Sequence, residues 1–291
     1  MDKAVFFAIL AAALYALNSP LSKLLLQSVP PTMMAGFLYL GAGIGMALIG
    51  VLRKKTGHGT KEARLTRKDL PYTLGMIVLD IAAPIFLMIG LSRTTAANAS
   101  LLNNFEIVAT SLIALLLFKE KIGKRLWVAI ALITISSVLL SVEDASSFQF
   151  SFGSLFVLLA CICWGMENNC TRCLSKSDPL EIVVIKGLCS GIGSVLIGLF
   201  VGESLPAISE ILKILLLGFV AYGLSIYFYV YAQRDLGASR TSAYYAVAPF
   251  IGALLSLLIF REIPGILFFV ALCIMILGTR MMNHDSGETA A

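Results

Sequence analysis

Ten stretches of about twenty predominantly apolar residues follow one another along this chain, joined by short polar links. A helix needs about 20 such residues to cross the hydrocarbon core of a bilayer, and no other feature restricts the fold as much. The stretches cover roughly 4–26, 32–52, 70–92, 96–118, 124–142, 152–174, 180–201, 209–233, 239–260 and 263–282. Backbone polar groups must be satisfied internally in lipid, and the alternating pattern of membrane strands is absent. The expected class is therefore an all-α polytopic membrane protein with ten transmembrane helices.

Composition agrees. Of 291 residues, 58% are hydrophobic and 13% charged, whereas soluble domains run at about 45–50% and about 25%. The longest polar stretch is 53–69, too short for a soluble domain. A soluble enzyme, a disordered tail and a nucleic-acid binder are excluded. The first segment resembles a signal peptide, but its length, Asn18, Pro20 and the lack of a cleavage site read as a retained helix.

The net charge of +5 reports topology. With the N-terminus inside, Lys3, the basic residues of 53–69 and 119–125, Arg172, Lys176, Arg234, Arg240 and Arg280 face inward, 17 in all. Only four, Lys23, Arg93, Lys213 and Arg261, face outward, and Lys186 lies inside a span. That bias predicts cytoplasmic N- and C-termini in a plasma membrane, a bacterial inner membrane being the expectation.

The chain also repeats itself. GIGMALIG at 43–50 matches GIGSVLIG at 191–198, an offset of 148, and LIALLLFKE at 112–120 matches LLSLLIFRE at 254–262, an offset of 142. Ala96/Ser100 and Ala238/Ser242 keep the second register. Segments one to five thus correspond to six to ten, as halves 3–142 and 152–282 with a short cytoplasmic tail at 283–291. Five is odd, so the second half is expected upside down relative to the first, with a substrate site near the midplane between them.

These residues carry a family resemblance. Phe118-Lys119-Glu120 and Phe260-Arg261-Glu262, Asn103-Asn104-Phe105-Glu106-Ile107, Ala248-Pro249 and Cys163-Trp164-Gly165 resemble the EamA-type proteins of the drug/metabolite transporter superfamily. The resemblance runs from about 5 to 281. It implies two inverted five-helix repeats and secondary transport of a small organic metabolite, with export the expected direction. Amino acids, sugars, nucleotide precursors and drugs are the solute classes it implies. One departure stands out: the fourth segment has Glu106 where the ninth has neutral residues and Pro249.

Ionisable groups in the membrane interior cost at least ~2.5–3.5 kcal/mol each on insertion scales, so each needs a partner or a task. Glu167 and Lys186 lie at similar depths on consecutive helices, which predicts an ion pair, either a gate or a structural clamp. Asp80 and Glu106 both fall near the midplane. Facing each other, they would share a labile proton and suit proton coupling; alternatively each hydrogen-bonds a neighbour, Asn103 and Thr110 being Glu106's. Around Glu167, Trp164 and Asn168 have counterparts in Tyr15 and Asn18 of the first segment, and these could line a pocket for a planar ligand with a polar head. Tyr244 and Tyr245 are weaker candidates. Both charge signs together with aromatics loosely suit zwitterionic amino acids.

Other features have structural readings. Glycines at 41, 43, 45 and 50, and at 187, 191, 193 and 198, allow close helix approach. The six cysteines, Cys170-Thr171-Arg172-Cys173 included, read as packing residues rather than a zinc site. His58 and His284 fall in a loop and in the tail, so neither a catalytic histidine nor a metal is expected within the membrane. The chain has no phosphate-binding G-x-x-x-x-G-K-[ST] motif, so energy would come from a proton gradient or solute exchange. No cofactor, no nucleic acid and no obligate protein partner is expected; the partners are a small solute and the lipid bilayer. An enzyme is disfavoured, and a channel or scaffold without carrier activity is the alternative.

Overall fold

The structure, a computed structural model, describes residues 3–56, 63–119, 123–144, 149–174, 177–236 and 244–288. His58, Glu120, Lys176, Arg240, the Ala238/Ser242 pair and the first residues of the ninth expected segment lie outside them.

The described chain is almost entirely helical. Helices α1 (Lys3–Ala16) and α2 (Asn18–Leu25) are followed by α3 (Pro31–Lys55), α4 (Leu70–Arg93), α5 (Ala96–Leu102), α6 (Phe105–Phe118) and α7 (Lys124–Ser141). A short antiparallel pair, β1 (Val142–Asp144) and β2 (Gln149–Phe150), leads into α8 (Phe152–Leu174), α9 (Pro179–Phe200) and α10 (Ile208–Gly218). A π-helical turn (Phe219–Leu224) connects α10 to α11 (Ser225–Leu236), and α12 (Ala248–Phe260) and α13 (Ile266–Glu288) complete the chain. Prolines open α3, α4, α9 and α12 within their first two positions, where a missing N–H costs nothing.

Among the described residues, seven helical stretches are long and apolar enough to span a membrane: Lys3–Leu25, Pro31–Lys55, Arg67–Arg93, Ala96–Leu117, Lys124–Ser141, Pro179–Phe200 and Ile208–Tyr229. Two shorter apolar helices are Ala248–Phe260 and Ile266–Met281. The expectation of ten equivalent apolar spans is thus met only in part. The sixth segment is a 23-residue helix, α8, but Glu167, Asn168, Asn169, Thr171 and Arg172 make its last two turns polar.

Several segments that read as continuous helices are interrupted. The first breaks at Leu17, where Pro20 has no N–H to offer the Ala16 carbonyl. The fourth breaks at Asn103-Asn104 and the eighth winds into the π turn. Beyond their interruptions, α6 and α12 end alike. Lys119 (φ 55°) and Arg261 (φ 53°) are the two non-glycine residues in the left-handed region among those described. They stand 142 residues apart, and each follows the terminal phenylalanine of its helix.

Packing partners follow the same correspondence. Helix α3 lies against α9, α5 against α12 and α7 against α13. The α3–α9 pair is antiparallel, since Gly36 meets Val195, Gly43 meets Gly187 and Gly50 meets Leu180. At its centre a Cβ on Gly43 would lie 2.6 Å from the Leu188 amide nitrogen, so only glycine permits this approach. Pairs between unlike segments also come in twos: α4–α8 with α1–α11, and α6–α8 with α1–α12.

Candidate functional site

The polar residues of the membrane interior gather where α3, α4, α8 and α9 meet. Lys186 on α9 is the hub, with Nζ 3.0 Å from Glu167 Oε1 on α8 and 3.1 Å from Asp80 Oδ2 on α4. Asp80 is 0% and Glu167 1% exposed, while the lysine side chain keeps 14%. Thr171, one turn beyond Glu167, donates its hydroxyl to the same Oε1. On the other side, Tyr39 of α3 donates to Asp80 Oδ1 (3.0 Å), and Trp164 Nε1 donates to the Tyr39 hydroxyl (3.2 Å). A continuous chain therefore runs Trp164–Tyr39–Asp80–Lys186–Glu167–Thr171 across four helices. Charge-assisted bonds of this kind are the strong ones.

Of the two arrangements open to Asp80 and Glu106, the structure has each acid with partners of its own. Asp80 is occupied by Lys186 and Tyr39, whereas Glu106, in the first turn of α6, accepts from Asn168 Nδ2 at 2.7 Å. The separation has a cause in packing. Gly165 brings α8 against Ala109 and Thr110 of α6, where a Cβ would meet Ala109 Cβ at 2.6 Å. That contact turns Asn168 toward Glu106 and Thr110, and Asn169 toward the Thr110 carbonyl. The Glu106 carboxylate takes its amide donor from Asn168 rather than Asn103; Asn103 Oδ1 is buried without a partner, as is the whole amide of Asn104. Thr110 donates instead to the Glu106 backbone carbonyl.

A second polar cluster, again drawn from both halves, uses positions that match the first. Asn18 Nδ2 donates to the Tyr222 hydroxyl at 2.9 Å, and Ser22 Oγ donates to Asn18 Oδ1 at 3.0 Å. Tyr222 stands 142 residues after Asp80, and Ser22 follows Asn18 by the four residues that separate Thr171 from Glu167. Where one cluster is ionic, its counterpart is neutral. Between them the rings of Tyr39, Tyr222, Tyr15, Tyr245 and Tyr229 form a contact chain with centroids 5.0–5.8 Å apart. Tyr244 is 38% exposed.

A family model, the EamA-like transporter family, matches this chain twice, over residues 2–142 and 151–284. The chain belongs to the EamA-like transporter family. It is similar to an uncharacterized transporter of Methanothermobacter thermautotrophicus, 28% identical over 286 residues, covering 93% of this chain and 83% of the relative. It is also similar to the uncharacterized inner membrane transporter YedA of Escherichia coli, 23% identical over 79% of this chain and 74% of that one. A crystal structure of a protein 20% identical in sequence superposes with a TM-score of 0.66 over 96% of this chain and 95% of the other, which establishes a shared fold. This EamA-like chain is thus a multi-pass membrane transporter.

Three members of this EamA-like site escape a reading of intramembrane charges, namely Tyr39, Tyr222 and Thr171. The signal for Tyr222 is the 142-residue register applied to Asp80. For Thr171 it is the i, i+4 spacing to Glu167. Nothing in the sequence marks Tyr39, which sits in a glycine-rich helix and enters only through the α3–α9 crossing.

Proposed function

We propose that this protein is a secondary carrier that exports a small organic solute by alternating access of two inverted halves, 3–142 and 152–282. Both termini then face the cytoplasm, and ten segments cross the membrane. The observation that carries the reading is an ionic cluster, Asp80 of the first half with Glu167 and Lys186 of the second, matched by a neutral cluster of Asn18 from the first half and Tyr222 from the second. Antiparallel packing of α3 on α9 and the matched left-handed ends at Lys119 and Arg261 support the inversion.

In that orientation Asp80, Lys186 and Glu167 tie α4, α8 and α9 in the cytoplasmic half, and Asn18 with Tyr222 ties α2 to the π turn in the outer half. At the outer face Lys23 Nζ donates to the carbonyls of Leu91 (2.6 Å) and Thr94 (2.8 Å), adding a strap between α2 and the end of α4. Opening one side means parting one set of ties while the other holds. The charged set responds to protonation, so a proton gradient or solute exchange supplies the energy.

Counterflow in proteoliposomes tests this reading. Saturable uptake of labelled solute driven by unlabelled solute inside, from a panel of amino acids, sugars, nucleosides and cationic drugs, is the expected result. Leakage that neither saturates nor exchanges would favour a channel, and no flux at all a scaffold.

A further inference from the structure

The outer surface of α3 carries a groove separate from the buried clusters. It holds about 350 Å³ and runs along α3 from Gly41 to Leu52, with α10 and Phe219 as its far wall. Glycine makes it. A Cβ at Gly41 would run into the Leu215 carbonyl, and one at Gly45 into the Phe219 ring, so the helices touch at these points and larger side chains wall the groove on either side. Leu48 (61% exposed) and Leu52 (62%) stand on α3 and Leu216 (64%) on α10, all open outward. From Gly41 to Leu52 the axial length is about 16 Å, half of the ~30 Å hydrocarbon core. Gly41 lies close to the middle of α3, so the groove reaches from mid-bilayer to one interface. At that interface α3 ends in Arg53, Lys54 and Lys55. Lys55 follows Leu52 by three residues and Leu48 by seven, which continues the groove's stripe. The Arg53 guanidinium lies 5.8 Å over the Tyr227 ring of α11, beyond Phe219 on the opposite wall.

We infer that this groove seats one acyl chain of an anionic phospholipid whose phosphate pairs with Arg53 and Lys55. The inference is independent of the solute and of the direction of transport. Apolar walls accept any hydrocarbon chain, and a groove one leaflet deep suits a chain that starts at the headgroups and stops at mid-bilayer. The basic end selects the headgroup, since each cation beside an anionic lipid is worth about fivefold in affinity. A second copy of this chain is the rival occupant. A two-fold interface puts the same patch against itself, and Arg53, Lys54 and Lys55 would then face their own copies as like charges. A seated chain braces the seam between α3, which supplies Tyr39 to the ionic cluster, and the π turn, which supplies Tyr222 to the neutral one.

Native mass spectrometry of the delipidated full chain in detergent tests the site, with dioleoyl phosphatidylglycerol, dioleoyl phosphatidylcholine and glycerol 3-phosphate as probes. Phosphatidylglycerol is expected to bind at least tenfold more tightly than phosphatidylcholine, and glycerol 3-phosphate, a headgroup without chains, more weakly than either. Arg53→Gln combined with Lys55→Gln should remove the preference between the lipids. Lys68→Gln combined with Lys124→Gln, at exposed basic positions on other elements, should keep it. Leu48→Trp, which fills the groove from its open side, should weaken both lipids. Equal binding of the two lipids by wild-type protein, glycerol 3-phosphate binding as tightly as phosphatidylglycerol, or a preference that survives in the Arg53/Lys55 double variant overturns the assignment. So does a dimer, seen by light scattering, that Leu48→Trp dissociates, because the groove then belongs to a second copy. The two wild-type comparisons decide by themselves if a variant does not fold.

Discussion

Lys186 shows most clearly what a single residue contributes here. It pairs with two carboxylates that are themselves almost wholly out of solvent. Replacing it with methionine preserves volume but strands both acids, and breaking a buried pair in this way costs about 3–5 kcal/mol. Lys186→Met should therefore lower the thermal midpoint in detergent at pH 7.5, and the loss should shrink as pH falls, because protonation removes the stranded charges. Glu167→Gln is milder, since Lys186 keeps Asp80. It should leave the protein folded by size exclusion and thermal shift but alter the pH dependence of counterflow, whereas a mere clamp would leave that profile unmoved. Which acids would share the lysine was only half legible from sequence. Depth along each helix brings Glu167 and Lys186 together, but Asp80 joins them because α4 rotates its midpoint toward α9 and away from α6. Rotation about a helix axis depends on packing and leaves little trace in a nearly all-apolar sequence.

Elements are set by glycine and proline. The α3–α9 crossing brings backbones into contact at Gly43 and Gly187, and Gly187 has no room for a Cβ against Gly43. Gly187→Val should force the pair apart, lower the thermal midpoint by an amount corresponding to about 1–3 kcal/mol and abolish counterflow. Gly265→Ala, with nothing within 4 Å of the added carbon, should change neither. Breaks are harder to read than crossings. Pro20 announces its break, but Asn103-Asn104 is a break that composition only hints at, through the taste of asparagine for non-helical turns. That break puts Glu106 into the first turn of a new helix, where a carboxylate is favoured by the dipole.

At the scale of the molecule, the proposed inversion makes a claim about sidedness. In a variant with its six cysteines replaced by alanine, Leu205→Cys should react with a membrane-impermeant maleimide in intact cells, and Thr66→Cys only after permeabilisation; both positions are exposed. The reverse pattern would turn the molecule over and move the ionic cluster to the outer half. A second outcome concerns motion. Linking Lys23→Cys to Thr94→Cys with a short bismaleimide, across the strap that the proposed orientation puts at the outer face, should stop counterflow while leaving solute binding in detergent intact.

By itself the sequence determined the all-helical membrane class and the family, because both depend on how apolar and small residues are ordered along the chain. It also marked the costly residues, since a charge among apolar neighbours is conspicuous wherever it points. Tertiary structure alone decided who meets whom: Asp80 with Lys186 rather than Glu106, Asn168 with Glu106, and Tyr39 as the link between Trp164 and the ionic cluster. Those choices follow from helix rotation, from the backbone approach allowed at Gly165 and Gly187, and from interruptions that reset the helical phase. In lipid the outward and inward faces of a helix are both apolar, so periodicity cannot announce which face is which.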